Sequence, residues 1–207
     1  MMRILLTGFP PFPGRPVNPS QALVEAVQHG RLNLPNVEFV TALLPVEYGR
    51  VESELGVLIE QHQPDAVLSF GVGRQKTPVR LEQRGVNLDH GELPDNAGEI
   101  RLDHPIDPAG PSEVHSPLDL ESLRDWLSGE GHGVEVSRDA GQYVCNHLVY
   151  TGLRQVARCE RSVEFLFTHL APADQEVSVE QNLAALDGIV RWFLIRNKTL
   201  ASVSLNS

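Results

Sequence analysis

Residues 141–148 read Gly-Gln-Tyr-Val-Cys-Asn-His-Leu, and this stretch predicts the point at which a loop becomes a helix. Gly141 is typical of a loop, whereas apolar residues recur at helical spacing from Leu148 onward. Cys145 then lies in the first helical turn, where unpaired N–H groups and the positive end of the helix dipole favour a thiolate. A lone cysteine can equally be a small buried apolar residue, so the rest of the chain has to decide between the two interpretations.

Strands and helices alternate on both sides of this stretch. Short apolar runs predict buried strands at residues 3–8, 37–44, 66–70, 134–136 and 162–167. Capping residues and helical periodicity predict helices at residues 18–29, 46–62, 118–127, 145–158 and 177–195. Residues 77–88 alternate in part and predict an antiparallel excursion. The pattern predicts an α/β fold, a single-domain α/β/α sandwich with a mainly parallel twisted sheet.

Length, charge and cysteine content narrow the function classes. The 207 residues are 41% hydrophobic, and no linker interrupts them, so we expect one domain over residues 1–207, with a tail that frays after about residue 197. The net charge of −10 argues against nucleic acid or an anionic membrane as the main partner. No apolar run is long enough to span a membrane, and no Cys/His spacing is typical of a metal site. We therefore expect a cytoplasmic protein without a metal.

A nucleophile and a base are predicted to meet at one edge of the sheet. His169 follows a buried strand, and Cys145 opens the helix before that strand, so both lie where open α/β sheets place their ligands. A Cys–His pair supplies a nucleophile with its base, and a third group must orient the imidazole. The pattern alone does not choose among Glu82, Asp89 and Asp95 for that third role.

Two alternatives qualify this hypothesis. A histidine such as His169 can be purely structural. His147 competes as the base, although residues two positions apart on a helix do not face each other.

The proline-rich loop at residues 8–16 follows the first strand, and its Phe9 and Phe12 either line a ligand site or pin the loop to the core.

Several motifs, in order along nearly the whole chain, resemble those of the pyroglutamyl peptidase I (pyrrolidone-carboxylate peptidase) family. They are Phe9-Pro10-Pro11-Phe12, Asn18-Pro19-Ser20, Glu82 with Asn87, Pro94-Asp95-Asn96-x-Gly98, Val144-Cys145-Asn146-His147-Leu148 and Thr168-His169. The resemblance implies a cytoplasmic α/β/α cysteine exopeptidase, a homo-oligomer and often a tetramer, with no metal or cofactor. Its activity would be the removal of an N-terminal pyroglutamyl residue from peptides.

The resemblance also implies a role for individual residues. Cys145 would be the nucleophile, His169 the base and Glu82 the group that orients the imidazole. The pocket for the lactam ring would be lined by Phe9, Phe12, Leu93, Tyr143 and Val144.

The chain departs from the family pattern at several positions. Glu92 stands where the family usually has an arginine. Gly71-Val72-Gly73-Arg74 stands where the family has a glycine-rich run that carries a glutamine. Tyr143 stands where phenylalanine is common, and Cys159 receives no role. Two alternatives therefore remain: a cysteine hydrolase of another small acyl amide, and a non-catalytic binding protein with the same fold.

Overall fold

The computed structural model describes residues 1–172, 175 and 177–204, and its helices surround one six-stranded sheet. The strands are β1 (Met2–Gly8), β2 (Val37–Leu43), β3 (Ala66–Val72), β4 (Val79–Glu82), β5 (Arg84–Val86), β6 (Glu113–His115), β7 (Val134–Ser137) and β8 (Glu164–Leu170). The helices are α1 (Pro19–Gln28), α2 (Val51–His62), α3 (Leu120–Gly129), α4 (Val144–Ala157) and α5 (Val179–Ser204).

The main sheet has the order β2-β1-β3-β8-β4-β7. Strands β2, β1, β3 and β8 run parallel to one another, β4 is antiparallel to β8, and β7 is parallel to β4. The predicted mainly parallel α/β sheet is therefore confirmed. The antiparallel excursion divides in two, because β4 joins the main sheet whereas β5 pairs with the unpredicted strand β6.

Helices cover both faces of the sheet, and side chains of successive strand residues alternate between two cores. Ile4 and Leu6 of β1 pack with residues of α1, α3 and α5, whereas Leu5 packs with residues of α2 and α4. In β8, Leu166 belongs to the first core and Phe167 to the second. This alternation follows from the pleat of a strand that is buried on both faces.

Two helix boundaries differ from the prediction by five residues or more. Helix α2 begins at Val51 rather than at Val46, because the loop before it uses its backbone for tertiary contacts: the Val46 carbonyl accepts from the Asn96 N–H, and the Tyr48 N–H donates to Asp95. Helix α5 continues to Ser204, past the predicted end at residue 195. Within the described ranges, every helix lacks the length or apolar character that a membrane crossing requires.

Candidate active site

The pairing of β4 with β8 brings Glu82 to His169. Arg80 lies opposite His169 in this antiparallel pair, and Glu82, two residues further along β4, is its diagonal neighbour on the same face. The His169 Nδ1 atom lies 2.7 Å from Glu82 Oε1. Both side chains are almost fully buried, with 6% and 0% of their surface exposed. The register of two strands therefore fixes the carboxylate against the imidazole.

Helix α4 adds Cys145 to the same group. Cys145 lies close enough to the His169 ring for its hydrogen-bonding and charge interactions to raise the pKa of that ring. Gly71 of β3 pairs with His169 in the sheet, and a Cβ atom on this glycine would lie 3.0 Å from Cys145 Sγ and 2.9 Å from the Phe167 ring. The sulfur thus rests on the bare backbone of β3, where only glycine leaves room for it.

We expect Gly71→Ala to lower kcat for a pyroglutamyl amide, the substrate that the family resemblance implies, by about tenfold to a hundredfold. The new methyl group would push the Cys145 sulfur or the Phe167 ring aside. The rate of Cys145 alkylation by iodoacetamide should fall as well. Gly56→Ala is the matched control, since the nearest atoms to a Cβ atom there belong to the Gln155 side chain, at an ordinary contact distance of 3.7 Å. Unchanged kcat in a folded Gly71→Ala protein would contradict this packing.

The surroundings of His169 favour its protonated form. Burial by itself lowers the pKa of His169, but hydrogen bonds and charge interactions with Cys145 and Glu82 outweigh it and raise the pKa to about 9. The second carboxylate oxygen of Glu82 is buried without a hydrogen-bond partner among the described residues, so its charge is compensated mainly by the imidazolium. The geometry therefore suits a Cys–His ion pair that a buried carboxylate stabilises.

This shift makes the pH dependence testable through Glu82→Gln. A step that needs protonated His169 weakens as the pH rises through the folded pKa of about 9, and without Glu82 that alkaline limb should move to lower pH. We also expect kcat/KM to fall by about 10³-fold. The pH profiles of both proteins measure this, and an alkaline limb at the same pH in both would contradict the pairing. The free energy of unfolding depends on pH in the same direction. The stabilisation that the His169–Glu82 pair contributes is fully present below pH 6.5 and is lost as the pH rises toward 9.

An apolar cleft opens beside the thiol, and we call it the aromatic cleft. It is lined by Phe9, Phe12, Asn18, Val46, Val72, Tyr143, Val144 and Cys145. The structure therefore places four of the five sequence-predicted pocket residues in one cleft with Cys145.

The fifth, Leu93, lies outside this lining. It is 50% exposed, and its side chain packs over Gly14 of the proline-rich loop. The neighbouring Glu92 is also exposed. Pro94 contacts a residue of the cleft, because its carbonyl accepts a hydrogen bond from the Tyr143 hydroxyl at 2.9 Å. Burial, then the charges of Asp95 and Cys145, raise the pKa of Tyr143 to about 12, so this hydroxyl remains a donor.

The other two acids that the pattern allowed have different partners. Asp95 accepts hydrogen bonds from the N–H groups of Tyr48, Ala97 and Glu99 and so shapes a turn. Asp89 binds His147 instead of His169, with 2.9 Å between Oδ2 and Nδ1. The structure thus brings Glu82, and not these acids, to the His169 ring.

Several residues at the site carry no role in the sequence analysis. Asn18, known from the sequence only as part of the Asn18-Pro19-Ser20 motif, caps α1, lines the cleft and donates to the Pro10 carbonyl. Gln75 is buried and donates to the His169 carbonyl at 3.2 Å. Asn146 donates to the carbonyls of Val86 and Leu88. The position of Asn146 directly after Cys145 was the available signal in the sequence, whereas nothing in the pattern pointed to Gln75.

The start of α4 offers donors for a developing negative charge. Tyr143 is the N-cap residue, and its side chain makes no capping hydrogen bond to the helix. The N–H groups of the first turn, including that of Cys145, have no acceptor four residues earlier within the helix. They carry the positive end of the helix dipole beside the Cys145 thiol, an arrangement that suits an oxyanion hole.

Comparison with known proteins identifies the family to which this fold and site belong. The family model described as pyroglutamyl peptidase (Peptidase C15) matches residues 2–192. This chain belongs to the pyroglutamyl peptidase family. It is 32% identical to pyrrolidone-carboxylate peptidase 1 of Caldanaerobacter subterraneus over 182 residues, which cover 87% of this chain and 88% of that protein. It is 31% identical to the pyrrolidone-carboxylate peptidase of Yersinia pestis over 196 residues, 90% of each chain.

Solved structures of pyroglutamyl peptidases have the same fold. A variant of the pyrrolidone carboxyl peptidase from Pyrococcus furiosus aligns with a TM-score of 0.85 and 25% identity, covering 93% of this chain and 98% of the other. Pyroglutamyl peptidase I from Bacillus amyloliquefaciens aligns with a TM-score of 0.82 and 26% identity, covering 91% and 95%. The family is one of cysteine peptidases, so the resemblance stated from the sequence motifs is confirmed.

Proposed function

We propose that this chain removes an N-terminal pyroglutamyl residue from peptides through Cys145, His169 and Glu82. The observation that carries the proposal is the meeting of Cys145, His169 and Glu82 beside the aromatic cleft. The His169 ring hydrogen-bonds to Glu82 and interacts with Cys145, which lines the cleft. A line of nucleophile, base and buried carboxylate is the arrangement that acyl transfer requires. We further propose a single domain over residues 1–207, a cytoplasmic location and a homo-oligomer, as the family resemblance implies.

The chemistry follows from this line of side chains. His169 takes the thiol proton, and the Cys145 sulfur attacks the scissile carbonyl carbon. The oxyanion that forms is held by N–H groups at the start of α4. The C–N bond then breaks, the His169 imidazolium protonates the leaving amine, and a thioester remains on Cys145. Water, deprotonated by His169, hydrolyses the thioester and releases pyroglutamate together with the regenerated thiol.

The aromatic cleft selects the acyl group. A pyroglutamyl ring has no charged amine, so it can enter an apolar cleft without burying a charge. Phe9, Phe12, Tyr143 and Val144 supply the walls for the ring, whereas Leu93 packs over Gly14 outside this lining. The polar atoms of the lactam need partners, and the Asn18 amide at the cleft is one candidate.

A panel of fluorogenic amides with one leaving group tests this function. We expect pyroglutamyl amide to be cleaved with a kcat/KM about 10³-fold above that of prolyl amide, whose ring has the same size but carries a charged amine. An N-acetyl-alanyl amide controls for an uncharged acyl group without the ring. Equal cleavage of the acetyl-alanyl amide would favour a hydrolase of other acyl groups, and cleavage of none would favour a binding protein.

A further inference from the structure

A buried polar cluster that the catalytic mechanism does not use lies on the far side of Tyr143. Asp89 is fully buried and accepts hydrogen bonds, each 2.9 Å long, from His147 Nδ1 and Arg101 Nη1. The Arg101 guanidinium also lies 4.8 Å from the ring centre of Tyr48. We call these four residues, Tyr48, Asp89, Arg101 and His147, the Asp89 cluster.

This cluster is costly to bury. Asp89 Oδ1, His147 Nε2 and the Tyr48 hydroxyl are all buried without a hydrogen-bond partner among the described residues. Buried polar atoms without partners destabilise a fold, and a buried ion pair is often no better than apolar residues of the same shape. A contribution to stability is therefore a weak explanation for the presence of these four residues. Their position next to the aromatic cleft indicates a role in the site.

The cluster reaches the aromatic cleft through ring contacts. The Tyr48 ring packs edge-on against His147, with 5.9 Å between ring centres, and against Tyr143, with 5.5 Å. The Tyr143 ring also packs against Phe12 of the cleft, with 5.6 Å between ring centres. Gly91 is wedged between the two tyrosines, since a Cβ atom there would lie 2.7 Å from the Tyr143 ring and 2.8 Å from the Tyr48 hydroxyl.

The contacts of α4 separate the Asp89 cluster from Cys145, His169 and Glu82. His147 belongs to the same helical turn as Cys145, but in the described part of the chain its ring hydrogen-bonds to Asp89 and not to the catalytic residues. Arg101 comes from the loop between Asp89 and His104, which pair in an isolated bridge. One anchor is thus on the helix that carries Cys145, and the other is on the loop whose Pro94 carbonyl accepts a hydrogen bond from the Tyr143 hydroxyl.

We propose that Tyr48, held in place by Asp89, His147 and Arg101, is a positioning residue that fixes the Tyr143 ring as the wall against which the acyl group of the substrate packs. The inference rests on the proposed function, because it assigns the cluster to acyl-group binding at that site. A rigid wall raises affinity by reducing the ordering that binding requires. The cluster therefore sets KM, and the Cys145–His169–Glu82 line sets kcat.

Tyr48→Leu tests this division, with Tyr48→Phe as the conservative rescue that keeps the ring. We expect Tyr48→Leu to raise KM for a pyroglutamyl amide about tenfold and to change kcat by less than about threefold, whereas Tyr48→Phe keeps most of the wild-type affinity. Tyr150→Phe is the matched control: Tyr150 is a buried tyrosine of α4 whose hydroxyl donates to the Pro111 carbonyl. It should leave KM unchanged.

A second readout does not depend on turnover. Small lactams such as 2-pyrrolidone should protect Cys145 from iodoacetamide, and the concentration for half-protection reports affinity for the ring alone. In Tyr48→Leu this concentration should rise about tenfold, while the alkylation rate without lactam stays within about twofold of the wild-type rate. Gly91→Ala gives the same test without removing a ring, because its methyl group would displace both tyrosines.

The outcomes are distinct. A raised KM and weaker protection by lactam in Tyr48→Leu, with a normal alkylation rate, support the proposal that Tyr48 positions the Tyr143 ring. Unchanged KM and protection in folded Tyr48→Leu, or a fall in kcat together with slower alkylation, overturn it. If Tyr48→Leu does not fold, Gly91→Ala decides by the same criteria. If the wild-type protein cleaves no pyroglutamyl amide, the proposed function fails, and the change in lactam protection alone then supports or overturns the wall.

Discussion

Replacing Cys145 with serine is expected to lower kcat/KM for a pyroglutamyl amide by about 10⁴-fold or more. The site holds the sulfur against an imidazole whose pKa is raised to about 9, which suits a thiolate partner and not an alcohol. Steady-state assays with the fluorogenic amide measure the loss. The fold should survive, because serine is similar in size and the surrounding glycine of β3 leaves the space unchanged.

Cys159→Ser is the control for this substitution. Cys159 lies just past the end of α4, and its thiol lies 3.5 Å from the Gln155 carbonyl, so it has no part in the catalytic group. Its variant should keep wild-type activity. Full activity in the Cys145→Ser protein would contradict the assignment of the nucleophile.

The second large effect is expected for His169→Asn, which should lower kcat/KM by about 10⁴-fold. Asparagine keeps a polar side chain at the end of β8 but can neither take the thiol proton nor return it to the leaving amine. The rate of iodoacetamide alkylation at Cys145 near neutral pH should fall in parallel, because the imidazolium no longer stabilises the thiolate.

His115→Asn controls for the loss of a histidine as such, since His115 is exposed and pairs with Glu113. It should leave both the turnover and the alkylation rate unchanged. Wild-type alkylation of Cys145 in the His169→Asn protein would mean that His169 does not activate the sulfur, and the proposed role of the pair would fall.

The sequence pattern predicts the fold well because its signals are local. Apolar runs such as residues 3–8 and 66–70 became the central strands β1 and β3 of the main sheet. The meeting of Cys145 and His169 at one edge follows from the rule that the carboxyl ends of parallel strands share a crevice. Both depend only on short segments and on general topology.

The third catalytic candidate shows where pattern alone stops. Glu82, Asp89 and Asp95 are equally plausible from spacing, and only the register between β4 and β8 gives Glu82 to His169. Register is a tertiary property, and a slip of one residue would turn Glu82 to the other face. The family resemblance supplied Glu82 in advance, but the residues themselves did not.

Other features depend on contacts between distant segments and left no local signal. The space that Gly71 provides for the sulfur exists only because β3, β8 and α4 converge there. The prediction that α2 begins at Val46 was wrong, because the Val46 carbonyl and the Tyr48 N–H form hydrogen bonds with Asn96 and Asp95 instead of helical ones. The His147–Asp89 pair likewise joins a helix to a loop far away in the chain.

The departure at Glu92 also changes meaning once the fold is known. Its side chain is exposed, and the residues that line the aromatic cleft do not include it. The negative charge therefore lies outside the apolar cleft that would receive the lactam ring. This placement gives no specific reason to prefer another acyl group over pyroglutamate.

The most direct test of the central claim is the rate at which Cys145 is labelled by a pyroglutamyl chloromethyl ketone, compared with the prolyl reagent of the same ring size. Peptide mapping by mass spectrometry identifies the labelled cysteine. We predict one label per chain, on Cys145, and a rate at least about 10²-fold faster with the uncharged lactam reagent. Labelling of Cys159 instead, or equal rates at Cys145 for the two reagents, would contradict the account.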